Sequence, residues 1–158
     1  MASTTTREQA AAALFNLVST SVGNVVGLKT SARRILMPKD VSPSQTPALF
    51  QVQVKESYVR GNGGMLGMRP TRTMHFDMWL YVTDATNTAS GLTVVPSTQL
   101  NTMIQAVEAV FMPDATTNSS TLGGLVASAR IEGDIDYLET RTRDGLSMAM
   151  IPVAVLIP

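Results

Sequence analysis

The sequence predicts an α+β fold: a mostly antiparallel or mixed sheet of about five strands packed with two helices. Three observations carry that prediction. Residues 97–112 repeat apolar side chains with the period of a helix. Two stretches, 49–56 and 72–82, alternate apolar and polar residues with the period of a strand. The chain closes on residues 147–157, a β-branched run that is apolar at both parities and reads as a strand covered on both faces.

In the first of these, Leu100, Met103, Ile104, Val107, Val110 and Phe111 fall on one helical face, opposite Gln99, Asn101, Gln105 and Glu108. Pro96 precedes the helix, Ser97 or Thr98 offers an N-cap, and Pro113 closes it. An earlier helix opens at a capping box, Thr5 with Glu8, and carries Ala11, Leu14, Phe15, Leu17, Val18 and Val22 before Gly23 stops it. Arg33 to Leu36 reads as a short strand, and the proline-rich 38–47 as a loop.

In 49–56, Phe50, Val52 and Val54 are expected to face the core and Gln51, Gln53 and Lys55 solvent. In 72–82, Met74, Phe76, Met78, Leu80 and Val82 face inward, with His75, Asp77, Trp79 and Tyr81 outward. The two strands are expected to pair antiparallel. The loop joining them, 57–71, holds Gly61, Gly63, Gly64 and Gly67 with Met65 and Met68. It reads either as a loop without fixed structure or as an arm that orders on a neighbouring subunit through Arg60, Met65, Met68 and Arg69. Residues 83–95 read as a polar linker. Residues 127–137 read as one strand with Ser128, Arg130, Glu132, Asp134 and Asp136 on one face, and Gly133 within it signals a bulge or a close backbone approach. Asp144-Gly145 is a turn tip.

A chain of 158 residues with 44% apolar and 15% charged residues is read as one domain, 1–158. The net charge is zero, which argues against non-specific nucleic-acid binding as the main activity. With no cysteine, neither disulfides nor thiolate metal sites form. No segment reads as a signal peptide or membrane helix. Charge is nonetheless uneven: residues 1–80 sum to +5 and 81–158 to −5. That pattern is either scattered surface charge or two opposed faces suited to head-to-tail contacts.

No catalytic constellation stands out. His75 and Asp77 share a strand face as an oriented imidazole would require, but a surface histidine is the simpler expectation. Glu132, Asp134 and Asp136 are spaced to present three carboxylates, as a Mg²⁺-dependent nuclease would, or to form a solvated or interfacial face. Trp79 and Tyr81 offer rings to stack on bases, with too few cations beside them. No catalytic residue, metal site or cofactor is therefore assigned.

Several features in order resemble the tail terminator (tail completion) proteins of long-tailed bacteriophages. They are Pro47-Ala48-Leu49-Phe50 entering a strand that ends at Glu56, a helix with Leu100-Asn101 near its start, Leu122-Gly123-Gly124-x-Val126, Ile131-Glu132-Gly133, and the closing apolar strand. The resemblance spans about residues 6–157. It implies a structural virion protein at the tail-neck junction, assembled in the host cytoplasm as a homohexameric ring. Such a ring caps the tail tube protein, ends its polymerisation and docks the head-tail connector protein, while DNA passes through the lumen without sequence-specific binding. No membrane is involved. On this reading Arg60, Met65, Met68, Arg69, Glu132, Asp134 and Asp136 are interface residues. A head completion protein or a tube subunit would share the contact-built character; the small nuclease is the alternative of a different class.

Overall fold

A computed structural model of the chain describes residues 5–59, 71–83, 85–87, 92–94, 96–112, 119–139 and 145–157. Two helices lie on one face of a mixed sheet with strand order β1-β2-β3-β8-β6, to which β7 adds on β8. The strands are β1 (Thr30–Ala32), β2 (Ala48–Val59), β3 (Thr71–Thr83), β6 (Ser128–Ile131), β7 (Asp136–Glu139) and β8 (Leu146–Ile157). β1 runs parallel to β2 and every other pairing is antiparallel. The expected α+β class is what the chain adopts. Residues 83–95, expected as a linker, contain a small separate hairpin of β4 (Ala85–Asn87) and β5 (Leu92–Val94).

α1 spans Arg7–Val26, one turn longer than expected. Thr6, not Thr5, is the N-cap: its hydroxyl accepts from the Gln9 N–H, and the Gln9 side chain accepts from the Thr6 N–H. Thr5 is unavailable because its buried hydroxyl donates to the Leu125 carbonyl. Gly23 does not stop the helix. Gly27 does, in a left-handed conformation (φ +63°) with its N–H on the Gly23 carbonyl. A glycine inside a helix costs about 1 kcal/mol relative to alanine, too little to end one packed on a core.

α2 spans Pro96–Phe111. Pro96 is its first residue rather than its flank, a position where the missing N–H leaves no bond unmade, so Ser97 and Thr98 lie inside the first turn. Pro113 lies outside the described residues. Leu100, Met103, Ile104, Val107 and Phe111 are buried as expected, beside Leu14, Val18 and Val22 of α1 and over Met74, Phe76, Met78, Leu80, Ile151, Val153 and Val155 of the sheet.

β3 and β8 pair along their whole lengths, from Arg72 opposite Ile157 to Thr83 opposite Leu146. β8 sits between β3 and the β6–β7 edge, with Ala149, Ile151, Val153, Val155 and Ile157 in the core under the helices and Leu146 and Met148 in a second cluster on the other face, which accounts for its apolar residues at both parities.

β2 pairs with β3 as expected but presents the opposite face. Leu49 and Gln51 stand opposite Leu80 and Met78, so they point toward the helices, whereas Phe50 and Val52 pair with Trp79 and Asp77 on the other side. Gln51 is buried there, its amide donating to the Ala11 carbonyl at 2.9 Å. Phe50 is fully buried all the same, in a second cluster with Val41, Ala48, Tyr81, Leu146 and Met148. Residues 33–47 form this cluster's cover. They contain no strand at 33–36 (β1 lies just before, at 30–32) and two short 3₁₀ turns, Pro38–Asp40 and Pro43–Gln45. The Tyr81 hydroxyl donates to the Leu36 carbonyl at 3.0 Å, and its ring meets Phe50 edge-on. Tyr81, expected to face solvent, is thus buried, and burial pushes its phenol pKa up.

The strand expected at 127–137 is two strands. β6 ends at Ile131 opposite Val153, and β7 begins at Asp136 opposite Met150. Four residues, 132–135, therefore face two, Ile151 and Pro152. The Glu132 N–H reaches the Pro152 carbonyl at 3.0 Å, but a proline has no N–H to return, so the ladder stops. Gly133 (φ +126°) then passes so close over the proline ring that a Cβ would lie 3.0 Å from Pro152 Cγ. The bulge and close approach expected at Gly133 are both present.

Candidate interaction surfaces

The helices close only one face of the sheet. On the other, the cover from 33–47 shields the end near Phe50 and Tyr81. Beyond it lie Val52, His75, Asp77, Trp79, Met150, Pro152 and Leu156, all only partly buried, with Leu138 47% exposed. The Asp77 carboxylate is partly buried in this apolar setting, and desolvation pushes its pKa up. His75 Nε2 lies 3.4 Å from the Ser57 hydroxyl, and no bond joins it to Asp77, so the two do not form an oriented imidazole–carboxylate pair.

Where β2 passes the N-terminus of α1 it bulges at Val54, which returns Glu56 and Tyr58 to the helix side. There Arg7 Nε meets Glu56 Oε2 at 2.8 Å and Arg7 Nη2 donates to the Tyr58 hydroxyl at 2.6 Å. That hydroxyl donates to Glu56 Oε1 at 2.9 Å, and Arg72 Nε lies 3.4 Å from the same oxygen. The Arg72 contact is an ion pair without hydrogen-bond alignment. The hydrogen bond from Arg7, then that from Tyr58, and last the charge of Arg72 hold the Glu56 carboxyl below the usual range against the opposing desolvation. This network ties β2 and β3 to α1; every charge in it is answered, which suits a structural tie rather than a ligand site.

Two grooves flank α1. One, of about 570 Å³, is lined by Asn16, Leu17, Thr20, Ser21, Asn24, Val110, Ser120 and Gly123, with no acid, base or nucleophile–base pair among them. The other, of about 480 Å³, is lined by Thr5, Thr6, Arg7, Glu8 and Arg72.

Of the residues singled out in the sequence, Arg60, Met65, Met68 and Arg69 lie outside the described residues. Glu132 and Asp134 stand in the break between β6 and β7, and Asp136 opens β7. All three are exposed, and Glu132 takes Arg130 at 2.5 Å. They do not line one strand face, because the two extra residues at the break turn the backbone between them. Among the described residues no three His, Asp or Glu side chains converge as metal ligands would, which removes the geometric basis of a three-carboxylate Mg²⁺ site. Tyr81, buried and hydrogen-bonded, presents no free ring to a base.

Which strands form the sheet's two edges is not marked in the sequence. Past Phe50, where β1 ends, the outer edge of β2 has no backbone partner among the described residues, and Val54, Tyr58 and Val59 are 54–61% exposed along it. At the other edge β7 pairs with β8 alone, leaving Tyr137 and Leu138 exposed. Charge divides unevenly between these two sides. Among the described residues, the α1–β2 side carries Arg7, Lys29, Arg33, Arg34, Lys39 and Lys55 against Glu8, Asp40 and Glu56, and the α2–β7 side Glu108, Glu132, Asp134 and Asp136 against Arg130.

No protein-family model matches the chain, and no curated protein matches it. Among solved structures, one similar chain belongs to the virion of a native gene transfer agent particle. It is 10% identical, with 93% of this chain and 96% of that chain covered and a TM-score of 0.47. Another, described by a sequence identifier without a function, is 12% identical over 97% of this chain and 96% of its own, with a TM-score of 0.52. That second likeness extends the fold, and the fold alone, over nearly the whole chain.

Proposed function

We propose that this chain is a structural protein of a phage-like virion and, within it, the tail terminator: a subunit of a homohexameric ring that caps the tail tube. The ring ends tube polymerisation and offers its other side to the head-tail connector, with DNA passing through the lumen. One observation carries the reading. The sheet is finished on its helix side and unfinished elsewhere, with an apolar face half-covered and two edges bare among the described residues. A protein whose chemistry lay in a pocket would have no need of such surfaces, whereas a subunit of an assembly covers them with its neighbours. The resemblance of residues 47–56, 100–101, 122–126 and 131–133 to tail terminators supports the finer assignment. The acidic residues Glu132, Asp134 and Asp136 then serve as contacts rather than ligands, and Arg60, Met65, Met68 and Arg69 as an arm toward the neighbour or tube.

Light scattering on the purified chain, with negative-stain images of the same peak, tests this. A closed ring is the expected result. Open-ended tubes would overturn the terminator in favour of a tube subunit. Magnesium-dependent cleavage of DNA, lost in Asp134→Ala, would overturn the structural reading altogether.

A further inference from the structure

We infer that copies of this chain join edge to edge, the β7 edge of one copy adding as a strand to the bare half of β2 in the next. The inference rests on the ring reading and specifies the contact that would close it.

The bare half of β2 runs from Gln51 to Val59, about 30 Å of strand at 3.3 Å per residue. Folded proteins protect such edges with charges, prolines, bulges or a covering segment. Here the protection is one bulge at Val54 and one cation, Lys55, while Val54, Tyr58 and Val59 stay exposed. At the far edge the two strands differ. β6 is closed by Ser120, which exchanges both backbone bonds with Ala129 at 2.8 and 2.6 Å. β7 has no such cover among the described residues.

Strand direction suits the pairing. β2 opposes β3, β3 opposes β8, and β8 opposes β7, so β7 runs counter to β2. A rotation about an axis near the strand direction preserves those senses, and it brings β7 of one copy antiparallel to β2 of the next.

The levels of the two edges suit a closed ring. Through the register, Leu138 lies level with Met148, Tyr81 and Ala48, and Asp136 with Met150, Trp79 and Phe50. β7 is therefore level with the part of β2 that β1 already occupies. To meet the middle of the bare half, a neighbour must slide by about six residues, roughly 20 Å, over the four strands β2, β3, β8 and β7, about 19 Å across. That offset is a strand tilt of about 45°, at the upper end of the 35–45° that closed sheets adopt.

Charge favours this head-to-tail contact over a symmetric one. β7 brings Asp134 and Asp136 toward Lys55, whereas β2 pairing with β2 would bring two copies of Lys55 together.

The chain has no cysteine, so cross-linking reports the contact directly. Val54→Cys and Leu138→Cys are made separately in the full chain, both at exposed sites. They are oxidised alone and mixed, with peptide mapping, while the mass of each sample is followed by light scattering. The expected result is a Val54–Leu138 cross-link severalfold stronger in the mixture than any dimer from either variant alone, in samples of ring mass. A ring mass without that cross-link, or with Val54–Val54 dimers in its place, overturns the edge pairing and leaves the ring reading standing. A chain that stays at 16.9 kDa at every concentration without cross-links overturns both.

Discussion

Replacing Gly133 with alanine tests the break that separates β6 from β7. Gly133 holds φ +126°, where an L side chain is strained, at about 1–3 kcal/mol for such a conformation. Its new Cβ would also lie 3.0 Å from Pro152 Cγ, tighter than ordinary contact, and crowding of that kind costs about 1 kcal/mol or more. Together they predict a loss of about 2–4 kcal/mol. With a urea m-value near 2 kcal/mol/M, the midpoint should fall by about 1–2 M without a change in slope. Unfolding followed by circular dichroism, at one low protein concentration so that assembly does not contribute, measures it. Adding Pro152→Ala separates the two causes: it removes Cγ and the crowding but leaves the backbone strain, so the double variant should recover part of the loss. A midpoint shift below about 0.3 M in Gly133→Ala would refute the account of why the strand breaks there.

Gln51 is buried with its amide oxygen unpaired, so Gln51→Leu should change stability by less than about 1 kcal/mol, while Gln51→Glu should cost several, both read from urea midpoints. Tyr81→Phe removes the bond to the Leu36 carbonyl and should cost about 1 kcal/mol, with faster hydrogen exchange in residues 36–46 as the specific signature. The Glu56 carboxyl titrates lower in the folded chain than its ordinary 4.5, so its contribution is present above that pH and fades as pH falls through the lowered value. Parallel unfolding of the wild type and Glu56→Gln should therefore show a stability gap at pH 6 that narrows below pH 4 (about the carboxylate range).

What the sequence revealed was set by how many partners each strand has. β3 and β8 were legible because β3 has the helices on one side and a partial cover on the other, and β8 is flanked by strands on both edges; their patterns follow burial directly. β2 has apolar residues on one parity and glutamines on the other, and period alone points Phe50 and Val52 to the core. It cannot say that a second, smaller core exists behind the sheet, or that the Ala11 carbonyl stands where Gln51 can use it. One missing layer thus inverted the strand up to its bulge at Val54. Tyr81 went astray for the same reason. Gly133 signalled its bulge, but its extent depended on Pro152, nineteen positions on and adjacent only in the fold. The acidic residues were legible as a group and their separation was not, since two extra residues at the break decide it. The free edges were beyond sequence altogether, because which strands lie outermost is a property of strand order.

The two unfinished surfaces occur together, and that coincidence bears on assembly. The cover from 33–47 and the short β1 both act at the end of the sheet holding Ala48, Phe50, Tyr81 and Met148. At the opposite end, among the described residues, Gln51 to Val59 lack an edge partner, and the neighbouring Asp77, Pro152 and Leu156 lack a full cover on the same face. A strand arriving at the β2 edge would satisfy backbone groups and, with side chains alternating to both faces, lay every second one against that apolar face. Edge and face would then be covered in a single event. The carboxyl of Asp77, already held up by desolvation, would be desolvated further and rise again. Assembly should accordingly be linked to proton uptake at Asp77, so dilution into buffers of rising pH above the ordinary aspartate range should dissociate the assembly more readily at the higher pH. In Asp77→Asn, which removes that carboxyl while leaving Asp134 and Asp136 in place, this dependence should weaken; an unchanged dependence would place the open face outside the contact.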